Sequence, residues 1–162
     1  KRAVSEHDEC NEIHIVGGYD KDREYCQKKI RNKNIYFYGF VPQSKVGIYI
    51  NSMDVCLLPN QKIVLSQGGD NISNFTSPLK MFEYMSYKKA IIVSDLEVLK
   101  EVLDSSNSIL CPPLDSKCWL NALKNLLNEE NRLAIGNNAY SLFMKKYTWL
   151  NRASNIFKYI KK

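Results

Sequence analysis

The sequence predicts an α/β fold, a doubly wound parallel sheet with helices on both faces. Three observations carry this. Its apolar runs are short and nearly continuous, as strands buried on both faces require. Segments of helical periodicity separate those runs throughout. At 162 residues the chain suits one domain with a proper core and is short for two.

The elements follow in order. Lys1 to about Asn11 reads as a polar helix. E-I-H-I-V-G-G at 12–18 is a buried strand closed by a tight turn at Gly17 and Gly18. A charged helix follows over 19–31. I-Y-F-Y-G-F at 35–40 is a second strand, ended by Gly39 and followed by Val41-Pro42. Val46, Tyr49, Ile50 and Met53 then share one face of a short helix over 44–52. D-V-C-L-L-P at 54–59 is a third strand.

A polar loop over 60–76 contains Gly68-Gly69 and exceeds the usual length of a loop in a compact domain. A functional flap and a plain insertion fit it equally. Its make-up is costly to order without a ligand, so mobility is expected over 67–74. F-T-S-P-L-K-M-F-E-Y-M-S at 75–86 then opens a helix. Pro78 suits its first turn, Thr76 or Ser77 can cap it, and Leu79, Phe82 and Met85 are expected to face the core. A-I-I-V-S at 90–94 is a fourth strand, with a short helix over 96–103. S-I-L-C-P-P at 108–113 is a fifth strand. Asp115 begins a helix to about Asn128, and two more helical stretches close the chain.

Composition narrows the function classes. The chain is 44% hydrophobic and 25% charged, which places it among ordinary globular domains. Its net charge of +6 suits an anionic partner, whether a nucleotide, a phosphorylated lipid, a membrane surface or nucleic acid. A lysine-rich solvated surface gives the same number. Five cysteines, an odd count without C-x-x-C spacing, argue against a disulfide framework or a zinc site. Cys56 and Cys111 lie in apolar runs and read as buried thiols of a reducing cytosol. No apolar run reaches the ~18 residues of a membrane span.

Ligands of open parallel sheets bind beyond the carboxyl ends of the strands. Gly17-Gly18, the Gly39-Phe40-Val41-Pro42 turn and the helix start at Ser77 all meet that rule. A helix N-terminus offers free N–H groups and about half a positive charge, which suits phosphate. Leu79 and Lys80 have amides to give, and Lys80 adds a full charge. Glu83, one turn further, can accept hydrogen bonds from sugar hydroxyls. Lys80 and Glu83 are also spaced i, i+3, and the spacing alone favours a surface ion pair. Asp20-Lys-Asp22 looks like a metal pair but sits where a helix begins, so capping explains it better. His14, on an apolar strand, reads as packed rather than catalytic.

The order of these motifs resembles the C-terminal, donor-binding half of group 1 glycosyltransferases, which have the two-domain GT-B architecture with Rossmann-like halves. N-I-Y-F-Y-G-F-V-P, I-Y-I-N-S-M-D-V-C-L-L-P, S-P-L-K-M-F-E-Y-M-S-Y-K-K-A-I-I-V-S-D, N-S-I-L-C-P-P-L-D and Y-T-W-L-N each match a segment of that half, from about residue 12 to the end. The resemblance implies a nucleotide diphosphate sugar donor, a retaining transfer of hexose type, and no metal or cofactor. Glu83 is similar to the ribose-holding glutamate. Gly39, Phe40 and Val41 are similar to the turn that contacts the base. Thr76, Ser77, Leu79 and Lys80 are similar to the diphosphate and sugar site, with Gly17 and Gly18 also on the donor side. This reverses the preference for an ion pair.

Many members carry a second glutamate eight positions before the ribose-binding one. Phe75 stands there, so the donor sugar is not legible. The family's first strand of this half and its N-terminal acceptor domain are absent from the sequence, which is expected to be a fragment, inactive alone. The acceptor is expected to be a glycan or lipid-linked sugar of bacterial polysaccharide or glycolipid biosynthesis. Such a chain belongs in the cytoplasm, with peripheral association at the inner membrane face and no nucleic-acid partner. A nucleotide-sugar epimerase and a non-enzymatic nucleotide-binding module are the alternatives.

Overall fold

The computed structural model describes residues 12–64, 68–69, 71 and 78–160. The polar helix expected over 1–11 and most of the segment expected to be mobile over 67–74 lie outside the described residues. All five described strands are parallel and alternate with helices, as the apolar runs predict. Their pairing gives a two-stranded sheet and a three-stranded sheet, each in its own compact unit, one ending at Ser52 and the other beginning at Met53.

The first unit runs β1 (Ile13–Val16), α1 (Asp20–Lys29), β2 (Ile35–Gly39) and α2 (Gln43–Ser52). β1 pairs with β2 through Ile13–Ile35, His14–Tyr36 and Ile15–Phe37, and the register slips after Ile15 so that Val16 meets Gly39. Asp20 and Asp22 occupy the first turn of α1, and Lys28 and Lys29 the last, each favourable to the helix dipole. The capping role expected of the aspartates is corrected, because Tyr19 is the cap residue and no side chain caps this helix. Asp20 instead pairs with Arg23 at 3.0 Å. His14 is packed as expected. Its ring stacks on Tyr36 and Tyr38, and its nitrogens reach Tyr38 Oη at 2.9 Å and Glu12 Oε2 at 3.2 Å.

The second unit holds β3 (Val55–Leu58), α3 (Leu79–Ser86), β4 (Ala90–Ser94), α4 (Glu97–Lys100), β5 (Ile109–Cys111), α5 (Ser116–Asn125), α6 (Glu129–Leu142), a π-helical turn (Phe143–Tyr147) and α7 (Trp149–Ile160). Its sheet order is β3-β4-β5. The central strand β4 is buried at every position, which explains its unbroken apolar sequence. Ile91 and Val93 point to one side, into a core with Leu58, Met81, Met85, Leu99, Leu103 and Ala139. Ala90 and Ile92 point to the other, into a core with Cys111, Ala122 and Leu126. Helices therefore cover both faces of this sheet. Gly136 of α6 lets that helix approach the turn before β4, since a Cβ there would sit 2.2 Å from the Lys88 carbonyl oxygen.

Candidate functional site

The sequence-predicted residues fall into two groups, one in each unit. In the first unit, Gly17 and Gly39 meet at the carboxyl ends of β1 and β2. The Gly17 N–H donates to the Gly39 carbonyl at 2.7 Å. Gly39 is buried with φ +70°, and a Cβ on it would lie 2.9 Å from Arg23 Nη1. A side chain is thus disfavoured by backbone strain, while the contact is with the movable end of Arg23. Gly18 continues the turn with φ +87°. Phe40 is 81% exposed, so its ring leaves the core while its backbone stays beside Gly39. Val41 is half-buried and Pro42 accepts the Lys45 N–H at 2.8 Å, which starts α2.

In the second unit, Leu79, Lys80 and Glu83 lie on α3. Pro78 is the residue flanking this helix, with φ −71° and ψ 113°, and no side chain among the described residues caps it. The placement of Pro78 in the first turn is corrected accordingly. Its carbonyl already accepts the Met81 N–H at 3.0 Å, so the helix begins one residue later. The first two amides, of Leu79 and Lys80, have no acceptor among the described residues. Thr76 and Ser77, expected as caps and as phosphate contacts, lie outside the described residues.

The expected core face of α3 also needs correction. Leu79 is 72% exposed, and Met81, at 1%, takes its place in the core with Met85. The inward series is i, i+4 from Met81 to Met85, with Phe82 partly buried beside them. Lys80 is exposed and Glu83 half-buried. Among the described residues no carboxylate pairs with the Lys80 ammonium, so the i, i+3 ion pair that the spacing allows is not formed. Tyr84, the next residue, packs partly buried against the core. Burial pushes its hydroxyl up to about 12, helped by Cys56 and by the Glu83 carboxylate.

One feature of the second unit escaped the sequence reading. A cavity of about 470 Å³ is lined by Lys62, Pro112, Pro113, Leu114 and Asp115. It lies past the carboxyl end of β5, where the Asp115 carboxylate caps α5 through the amides of Lys117 and Cys118. Ser94, fully buried at the end of β4, donates its hydroxyl to the Asn60 carbonyl at 2.7 Å and so anchors the chain leaving β3. The strand-end rule that singled out Gly17, Gly39 and Ser77 applies equally to C-P-P-L-D after the fifth strand, and was the signal available. Lys100 bridges the exposed carboxylates of Asp95 and Glu97, each at 2.8 Å. The described residues contain no cluster of His, Cys, Asp and Glu able to hold a metal.

A family model described as glycosyl transferases group 1 matches residues 2–129, most of the chain. The chain belongs to the group 1 glycosyl transferases. Solved structures of similar fold agree with this membership. Sucrose-phosphate synthase from Thermosynechococcus elongatus matches with a TM-score of 0.72 at 18% identity, over 91% of this chain and 37% of that one. The C-terminal domain of a glycosyl transferase group 1 family protein, LpcC, from Francisella tularensis matches with 0.63 at 21%, over 80% and 64%. HepE from Anabaena, solved in complex with UDP-glucose, matches with 0.71 at 14%, over 93% and 40%. This group 1 glycosyl transferase chain therefore spans less than two thirds of each of the three. No curated protein sequence matches it closely enough to count as a relative.

Proposed function

We propose that this chain is the donor-binding half of a glycosyl transferase that moves a sugar from a nucleotide diphosphate sugar to an acceptor hydroxyl. The observation that carries the reading is the start of α3. Two amides and a lysine ammonium without a partner among the described residues, and a glutamate one turn on, are gathered within five residues of one helix end. When the sugar leaves, the bond between its anomeric carbon and the diphosphate oxygen breaks, and negative charge gathers on the diphosphate. The amides of Leu79 and Lys80, the helix dipole and the Lys80 side chain neutralise that charge from the chain itself. Glu83 accepts hydrogen bonds from the ribose hydroxyls. In the first unit, taken by itself, we read the Gly39-Phe40-Val41 turn as offering backbone atoms to a base, with Gly17 and Gly18 as donor-side residues beside it.

The UDP-glucose complex of the HepE structure makes that nucleotide sugar the first ligand to try. We read the transfer as retaining and of hexose type, serving polysaccharide or glycolipid assembly in the cytoplasm at the membrane face. The acceptor, a glycan or lipid-linked sugar, would be held by a further domain, since the solved structures are longer than this chain. The 162 residues alone should bind donor and not transfer sugar.

Glu83→Gln keeps the side chain's shape and removes its charge. Calorimetric titration with UDP should show affinity reduced by about 1–3 kcal/mol, the range for a hydrogen bond to a charged group. The melting temperature should hardly move. Unchanged affinity together with a lower melting temperature would make Glu83 a structural residue.

A further inference from the structure

Cys111 and Cys118 are seven residues apart and carry no familiar spacing, yet the fold sets them against each other. Cys111 ends β5, fully buried, and its carbonyl accepts the Asp95 N–H at 2.8 Å. Cys118 lies in the first turn of α5 and is partly accessible. The turn between them is held at several points. The Asp115 N–H donates to the Pro112 carbonyl at 3.1 Å, the Trp119 indole donates to the same carbonyl at 3.0 Å, and the Cys118 N–H donates to Asp115 Oδ1 at 3.1 Å. Pro112 and Pro113 stiffen it further. The result is a Cys118 Sγ to Cys111 Sγ distance of 2.8 Å. A disulfide needs about 2.05 Å, so little movement separates this pair from bond formation.

No other described cysteine competes. Cys56 is in β3, two strands from β5 across β4, or about 10 Å at ordinary strand spacing. That exceeds the ~7 Å Cα limit for a bridge. Cys26 is on α1 of the first unit.

We propose that Cys111 and Cys118 form a reversible disulfide by exchange with a low-molecular-weight disulfide, and that this bond locks the turn lining the cavity beyond β5. The accessible thiol, Cys118, loses its proton and attacks one sulfur of the small disulfide. A mixed disulfide forms and one small thiol leaves. Cys111 then loses its proton and attacks Cys118 Sγ, which expels the second small thiol. In sum the protein gives up two hydrogens and the small disulfide takes them up as two thiols. Burial pushes the Cys111 thiol up to about 12, with the hydrogen bond and charge of Cys118 adding to it. Those two contributions disappear once Cys118 is in the mixed disulfide, which eases the second step. The ring that closes includes Pro112 to Asp115, four of the five residues lining the cavity.

The test is oxidation of the folded chain by oxidised glutathione, followed by acid quench, denaturation, alkylation and tryptic digestion. Cleavage after Lys100, Lys117 and Lys124 places the two cysteines on adjacent peptides, 101–117 and 118–124. The expected result is a linked pair of these peptides, two hydrogens lighter than their sum, that disappears on reduction with dithiothreitol. Free thiols, five in the reduced chain, should fall by two. Cys118→Ser should abolish the linked pair and leave Cys111 open to alkylation after denaturation. Alkylation of both cysteines in the oxidised sample, a glutathione adduct that persists on Cys118, or linkage to another cysteine would each overturn the proposal. The measurement on the unaltered chain decides this even if the variant does not fold.

Discussion

The two units use their strands differently. In the three-stranded sheet every residue of β4 is buried, and alternate side chains feed separate cores on the two faces. In the two-stranded sheet no strand residue but Gly39 is buried, and Ile15 is 41% exposed. Its side chains instead include a polar and aromatic cluster, in which Tyr36 donates to Glu12 Oε1 at 3.1 Å and His14 stacks between tyrosines. The second unit, which carries Lys80 and Glu83, has a core of its own to hold α3 in place. The glycine turn of the first unit is set by backbone geometry at Gly17 and Gly39.

That contrast gives a direct way to break the comparison. Met85 is fully buried and links α3 to the core of β4. Met85→Ala should cost about 2–5 kcal/mol, from lost transfer energy and the cavity left behind. Ile15→Ala, at a half-exposed strand position, should cost less than about 1 kcal/mol. Denaturant unfolding of both variants checks the pair. Equal losses would mean that Ile15 is as well packed as Met85 and would remove the contrast.

The smallest expected effect is pH-dependent. Hydrogen bonds from the Ser106 hydroxyl and amide, and from the Asn107 side of the same turn, hold the Asp104 carboxyl below its ordinary range against a slight opposing effect of burial. A depressed carboxylate contributes stability above its unfolded pKa and loses it as pH falls through the folded value. The contribution of Asp104 should therefore be complete above about pH 4 and fade below it. The group is largely exposed, so solvent screening keeps it under about 1 kcal/mol. Thermal melts of Asp104→Asn and the parent chain should differ at pH 7 and converge in strong acid. A difference that grows on acidification would contradict this.

Much of the second unit was legible because burial on both faces leaves a plain mark. A-I-I-V-S was readable as β4 for that reason, and Asp115 as a helix start because a short carboxylate side chain reaches back to two amides. Leu79 misled, since the series Leu79, Phe82, Met85 and the series Met81, Met85 share a residue. Only packing against β4 decides between them. Pro78 fits φ either inside or just before a helix, and only its ψ of 113° places it outside. The approach of Cys111 and Cys118 had no sequence mark, because it arises from how the Pro112–Asp115 turn folds a strand end onto a helix start. The π-helical turn at Phe143–Tyr147 was not foreseen either, as its residues keep helical periodicity. The turns at Gly17 and Gly39 were legible as strand ends, whereas the lack of a carboxylate partner for Lys80 among the described residues required coordinates.

On the proposed function, the N-terminus of α3 holds the donor diphosphate. Amide NMR of the 162-residue chain during titration with UDP tests it most directly. The amides of Leu79 and Lys80 are expected to shift progressively and saturate together. Saturable binding of UDP that leaves Leu79 and Lys80 unmoved would place the diphosphate elsewhere and contradict it.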